Sequence, residues 1–373
     1  MSASTPSVPH SPPEAWEPLR RFARRAGRPL ERFLHIEAAS GILLLLAAAV
    51  ALVWANSPWQ ESYRALWHMP LGVRIGGFEF ERSLEWVVND GLMVIFFFVV
   101  GLEIRREIHA GELSELRRAA LPAAAALGGM IAPALLYLVF AGQRETHAGW
   151  GVPMATDIAF ALGVLTLLGK RVPAALRVLL LALAVIDDLG AILVIALFYS
   201  SGVALSGLAV ASLGLAVIGV MKRAGVRFKA AYIAPAILTW GGVYAAGVHP
   251  TIAGVIVGLM TPVRAWYGAR GFVRGVQQQL EEIEHVHEAK PDAFNDALQR
   301  VRIAQREATS PAESLIHTLH PWVAFGIMPV FALANAGVTL SGVSLGGPSL
   351  RVILGTAVGL MLGKPIGVLA ACG

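Results

Sequence analysis

Asp187 and Asp188 stand side by side in the run VLLLALAVIDDLGAILVIALFY, residues 178–199, and are its only charged residues. At about 1.5 Å of rise per residue this run is long enough to cross the roughly 30 Å hydrocarbon core of a bilayer, with the pair near its middle. An aspartate at that depth costs about 2.5–3.5 kcal/mol on insertion scales, so packing alone does not favour it. Adjacent positions point about 100° apart on a helix, which lets one carboxylate face a cavity while the other faces a neighbouring helix. Residues so placed bind ions or relay protons; the plainer reading is a structural ion pair.

Composition agrees with a membrane setting. The 373 residues are 56% hydrophobic and 15% charged, with a mean hydropathy of +0.63, as in an all-α polytopic membrane protein. The single cysteine, Cys372, excludes an internal disulfide framework. No cleavable signal peptide is evident, because mostly polar residues precede the first apolar run. Ten spans are read, at 37–55, 85–103, 119–140, 150–169, 174–199, 203–221, 230–247, 249–262, 320–340 and 351–372. With a cytoplasmic N-terminus and alternating spans, the inside segments carry 24 Lys and Arg and the outside segments 5. That is the positive-inside pattern, so the pI near 9.6 marks a membrane face and not a nucleic-acid partner.

The chain therefore divides into a cytoplasmic N-terminal segment (1–36), a membrane domain with spans 1–8 (37–262), a cytoplasmic loop (263–316) and a membrane domain with spans 9–10 (317–373). Within the loop, Val273, Val276, Leu280, Ile283 and Val286 recur at helical spacing, as do Phe294, Leu298 and Val301, with Pro291 between them. A surface helical hairpin is expected, either as a solvated spacer or as a regulatory cap. On the other side of the membrane, Val73 and Ile75 flank Arg74, Gly76-Gly77 offers a turn, and Phe78 and Phe80 alternate with Glu79 and Glu81. That pattern fits a β-hairpin or an ordinary external loop.

Other polar residues sit where lipid is expected. Only about 12 apolar residues follow Asp157, roughly half a bilayer of helix, and Thr156 and Asp157 have N-cap chemistry with Pro153 upstream. A helix that breaks near mid-membrane fits this, with Asp157 neutralising the positive end of the inner half and residues 150–154 supplying the outer half; an ordinary helix capped at the surface is the alternative. Lys364 lies within GLMLGKPIGV, and a buried ammonium needs a partner among the aspartates at that depth. The stretch Gly359 to Lys364 is not a phosphate loop, since three residues separate its glycines and Pro365 follows the lysine. Asp90 lines a funnel or hydrogen-bonds a neighbouring helix. Glu103 and Glu107 share one helix face, either as an interacting pair sensitive to pH or as a solvated helix end. His249, His317 and His320 lie at span ends. No HExxH and no three-ligand metal spacing occurs, so no resident metal or cofactor is implied.

The segment ATDIAFALGVLTLLGKRVPAALRVLLLALAVIDDLGAILVIALFYS resembles the NhaA-type sodium/proton antiporters, as do GLEIRREI, GVHPTIAGVIVG, LHPWVAFGIMPVFALANAGV and GLMLGKPIG. The likeness runs from about Glu37 to the end of the chain, apart from the long loop. It implies an inverted-repeat secondary transporter with discontinuous helices, about ten of whose twelve spans are present here. By the resemblance Asp187 and Asp188 bind the cation, Na⁺ or Li⁺, with Asp188 the closer ligand and Thr156 beside the site. Asp187 pairs with Lys364 when the site is empty, and Asp157 and Lys364 compensate the facing half-helix ends. Glu103, Glu107, His317 and His320 match the family's region of pH activation, although Ile316 stands where an acidic residue is expected and Glu313 lies a turn earlier. The resemblance further implies electrogenic exchange, a homodimer joined partly through the external hairpin, and a bacterial inner membrane. Family members continue for two more spans, so an impaired, truncated antiporter is an expectation for the chain as written. A cation channel is the competing class, and an intramembrane protease is disfavoured by the absent motifs.

Overall fold

The computed structural model describes residues 37–76, 78–155, 172–200, 202, 204–226, 228–265, 268–285, 291–340 and 346–373. Thr156 and Asp157, most of the expected fourth span and the segment 1–36 lie outside the described residues.

The described chain is helical except for one hairpin. Helix α1 (Glu37–Ala55) bends by 117° into α2 (Gln60–Trp67), across a junction that contains Pro58. Strands β1 (Pro70–Ile75) and β2 (Phe78–Ser83) pair antiparallel, with Val73 opposite Phe80 and Ile75 opposite Phe78. Gly76 takes a φ of 60°, which a turn of this kind demands and which side chains with a Cβ avoid. The alternating pattern around Gly76-Gly77 is thus a hairpin and not an ordinary loop. The long helices follow: α3 (Leu84–Ala110), α4 (Leu116–Ala141), α5 (Ala174–Phe198) and α6 (Leu205–Arg223). Between α4 and α5 a 3₁₀ helix covers His147–Met154. Shorter helices α7 (Ile233–Ala245) and α8 (Thr251–Met260) lead to α9 (Gly268–His285) and α10 (Pro291–Ala308), which pack on each other. Helices α11 (Pro311–Asn335) and α12 (Pro348–Cys372) complete the described chain.

Six of the described helices are long and apolar enough to span a bilayer, or seven if the bent α1–α2 pair counts as one span. The chain is a multi-pass membrane protein. The expected spans at 230–247 and 249–262 part beside His249-Pro250: a 3₁₀ turn (Lys229–Tyr232) leads straight into the 13 residues of α7, and α8 has 10 residues, shorter than the span read there. Ser310 accepts from the backbone N–H of Glu313, and Pro311 occupies the first turn, where its missing N–H costs nothing. Helix α11 therefore starts at Pro311.

Small residues set how closely the helices approach. A Cβ on either Gly128 or Gly367 would overlap the other's carbonyl oxygen, so α4 and α12 cross backbone to backbone. Gly101 on α3 meets the Val255 backbone of α8 in the same way. Three of the described helices contain a π turn: residues Val87–Leu92 in α3, Val323–Ile327 in α11 and Gly359–Gly363 in α12. The last two run into Met328-Pro329 and Lys364-Pro365. A proline ring clashes with the carbonyl four residues back, and the wider turn relieves that clash.

Candidate functional site

Helices α4, α5 and α12 and the 3₁₀ segment meet around one lysine. Lys364 Nζ donates to Asp187 Oδ2 at 2.7 Å and to the Met154 carbonyl at 2.5 Å. The two side chains are 14% and 2% exposed, so this ion pair is buried in the protein. Local sequence explains the convergence. The π turn over Gly359–Gly363 packs on Pro133 of α4, and the stem of Lys364 passes over Gly129. Gly190, one turn beyond Asp187, lets Met130 of α4 pack against α5. The 3₁₀ helix ends at Met154, and Ala155 is extended (φ −62°, ψ 144°), so the Met154 carbonyl is turned outward. A terminal carbonyl carries partial negative charge and favours an ammonium.

Asp187 and Asp188 diverge as their spacing demands. Asp187 is buried, whereas Asp188 is half-buried. One carboxylate is committed to a neighbouring helix, and the other occupies a different face of α5. The pairing of Asp187 with Lys364 is present in the structure. Among the described residues no group of three or more His, Cys, Asp or Glu side chains converges on one point. A hard monovalent cation here would draw on Asp187, Asp188 and backbone carbonyls, an all-oxygen set that suits it. Thr156 and Asp157 are outside the described residues, immediately beyond Ala155.

Asp90 lies on the π turn of α3. Its carboxylate is 3.6 Å from His249 Nδ1, and its backbone carbonyl accepts from Trp240 Nε1 at 2.9 Å. Next to it, Asn89 and Asn335 exchange amide hydrogen bonds of 3.1 and 2.8 Å, joining α3 to α11. The hydrogen bond that joins Asp90 to a neighbouring helix is thus made by its backbone carbonyl.

At the Ala110 end of α3, Glu103 is half-buried and interacts electrostatically with His320, Arg106 and Glu107. Glu107 is 3.8 Å from Arg106. His317 and His320 are exposed on α11. Ile316 is buried with Leu102 and Ala312, while Glu313 is exposed. The position where an acid was expected is therefore a core position in this chain.

Three contacts had no signal in the sequence. Arg264 Nε donates to His109 Nε2 at 3.1 Å, tying the root of the α9–α10 segment to the end of α3. Lys229 donates to Ser314 Oγ at 2.6 Å. Tyr199, at the end of α5, bridges two groups of the 3₁₀ helix. Each joins residues distant along the chain, and neither periodicity nor local spacing reports such pairs.

Comparison with known proteins fits this geometry. The family model described as Na+/H+ antiporter 1 matches residues 31–373. The chain is 68% identical to Na(+)/H(+) antiporter NhaA 2 of Myxococcus xanthus, over 100% of this chain and 80% of that protein. It is 55% identical to Na(+)/H(+) antiporter NhaA 2 of Sorangium cellulosum, over 99% and 79% respectively. With Na(+)/H(+) antiporter NhaA of Bordetella petrii the identity is 51%, over 97% and 78%. The buried lysine–aspartate pair thus sits in a chain that belongs to the Na+/H+ antiporter 1 family.

Proposed function

We propose that this chain exchanges Na⁺, or Li⁺, for protons at Asp187 and Asp188, with Thr156 beside the cation. The observation that carries the reading is the buried Lys364–Asp187 pair with its second bond to the Met154 carbonyl. A buried carboxylate keeps its charge only when a cation compensates it, and Lys364, Na⁺ or a proton each provides that compensation. When Na⁺ enters on Asp188 and Asp187, Lys364 is displaced, and protons leave. When Na⁺ departs to the far side, protons and Lys364 return. Because only a compensated site moves between the two access states, the fluxes are coupled.

With Asp188 protonated and Lys364 an ammonium in the empty site, entry of Na⁺ releases up to two protons, one from each, which makes the cycle electrogenic. The membrane potential, worth about 2.3 kcal/mol per charge per 100 mV, then helps expel Na⁺. Proton and Na⁺ compete, so acidification protonates the carboxylates and raises the KM for Na⁺, while alkaline conditions lower it. Asp157 and Lys364 compensate the ends of a broken helix in an inverted-repeat fold, a reading favoured by the 3₁₀ segment that stops at Met154. Glu103, Glu107, His317 and His320 form the cytoplasmic pH-response region, and Asp90 borders the opposite entrance. The β-hairpin is the contact of a homodimer in a bacterial inner membrane, with the N-terminus cytoplasmic.

The test is Asp188→Asn in everted vesicles containing a pH-sensitive dye. Addition of Na⁺ dequenches the dye with the native chain and leaves it quenched with the variant, while the variant inserts and purifies normally. Full dequenching in Asp188→Asn defeats the assignment. Current without proton movement in a voltage clamp favours a channel instead.

A further inference from the structure

Tyr199 lies far from both aspartates along α5, and nothing above assigns it a part in exchange. Its hydroxyl donates to the Ala148 carbonyl at 2.6 Å and accepts from the Gly151 N–H at 3.2 Å. Those two groups, three residues apart, are the pair that an i→i+3 bond joins in a 3₁₀ turn. The phenol thus bridges the turn from a different helix. Its ring also lies 6.4 Å from Trp150, which meets Phe198 edge-on at 5.2 Å. A Cβ on Gly151 would come within 2.9 Å of the hydroxyl, so any larger residue there displaces the phenol. At the other end of the segment, Tyr137 of α4 donates to the Thr146 carbonyl at 2.8 Å. The 3₁₀ helix is therefore held from α4 at its start and from α5 in its middle. Its last carbonyl, on Met154, is the one that holds Lys364.

We infer that Tyr199 is a positioning residue for exchange: by bridging Ala148 and Gly151 it sets where the Met154 carbonyl stands on Lys364. This rests on the proposed role of the Lys364–Asp187 pair. The connection runs within one short helix. Only Val152 and Pro153 lie between Gly151 and Met154, so a change in the turn is delivered to the carbonyl with little chain to absorb it. That carbonyl stabilises the ammonium form of Lys364, and the ammonium is the group that competes with Na⁺ and protons for Asp187. Loosening the carbonyl weakens the competitor. Na⁺ then takes the site at lower pH.

The experiment is Tyr199→Phe in the full chain, reconstituted in vesicles, with Na⁺-driven proton movement recorded across pH. The variant keeps the ring and loses only the hydroxyl. Expected are a midpoint displaced to acid by about half a unit, a roughly threefold change in proton sensitivity, and a Vmax within about twofold of native. Gly151→Ala, which pushes the phenol out of the turn without removing it, is expected to move the midpoint in the same direction. A merely structural tyrosine lowers the melting temperature and leaves the pH profile superimposable on native, and that result overturns the inference. If Tyr199→Phe does not fold, Gly151→Ala decides the matter by the same readout. Exchange that survives in Asp187→Asn refutes the underlying reading, and the inference with it; a native-like profile in Tyr199→Phe alongside inactive Asp187→Asn refutes the inference alone.

Discussion

The Lys364–Asp187 and Asp90–His249 pairs each join a basic and an acidic side chain distant along the chain, yet their surroundings differ sharply. The first closes at 2.7 Å with partners 14% and 2% exposed; the second stands at 3.6 Å with His249 42% and Asp90 17% exposed. The first also has a backbone carbonyl on the lysine, whereas in the second the hydrogen bond from Trp240 goes to the Asp90 backbone and not its carboxylate. Charge in a dry interior is costly to leave uncompensated, and charge that water reaches is not. The buried pair is therefore the one whose occupancy can be forced to change only by substitution of another cation, which is what exchange requires.

The contrast breaks most readily at Lys364. Lys364→Ala removes the ammonium from the buried Asp187 carboxylate and is expected to cost about 3–5 kcal/mol, seen as a large fall in melting temperature in detergent, with Na⁺-driven proton movement lost. A variant as stable as native at neutral pH shows that burial is not what distinguishes the pair. A somewhat smaller effect is expected at Ile316. Ile316→Glu supplies the acid that the family resemblance anticipates, but places it against Leu102 and Ala312. It forfeits about 2 kcal/mol of apolar burial and is expected to destabilise the chain without steepening its pH response. A steeper response restores Ile316 to the sensing region.

Arg82 sharpens the comparison on the more exposed side. Its guanidinium donates to the Tyr244 hydroxyl at 2.8 and 3.0 Å and lies over the Phe80, Trp86 and Tyr244 rings. Trp240 stacks on Tyr244 and bonds the Asp90 backbone, so this cluster links the β-hairpin to the π turn of α3. Arg82→Gln is expected to cost about 1 kcal/mol and to speed hydrogen exchange across residues 70–83. Unchanged exchange there means the hairpin is held by its own ladder. The smallest effect is assigned to Asp90→Asn, about 0.5 kcal/mol, with exchange retained and at most a modest change in KM. Loss of transport in that variant equal to that of Asp188→Asn removes the distinction between the two pairs.

Much of the helical framework was legible from apolar runs, because burying about twenty backbone amides in lipid leaves a helix as the economical solution. The hairpin at 70–83 was legible as one of two readings, through its alternation and its glycines. The amphipathic repeats on either side of Pro291 marked α9 and α10, which do pack together. Where α11 begins was less legible, since a Ser-Pro pair inside a polar stretch reads as loop until its capping bond is seen. The separation of α7 from α8 was read between 247 and 249, beside the His249-Pro250 turn, whereas the ends of the two helices were not, since hydropathy runs a few residues past them.

Asp187, Asp188 and Lys364 announced themselves locally, since a charge in an apolar run is visible wherever the run ends up. Their partnership was not local. Which aspartate meets the lysine depends on the rotation of α5, on the π turn before Pro365 and on the closeness that Gly128 and Gly367 allow between α4 and α12. The Met154 carbonyl and the Tyr199 bridge belong to the same class: hydrogen bonds between segments far apart in the chain leave no period or spacing behind them. Hydropathy and charge are summed along the chain and can be read there, whereas distance between side chains exists only after packing has chosen among the ways the helices can cross.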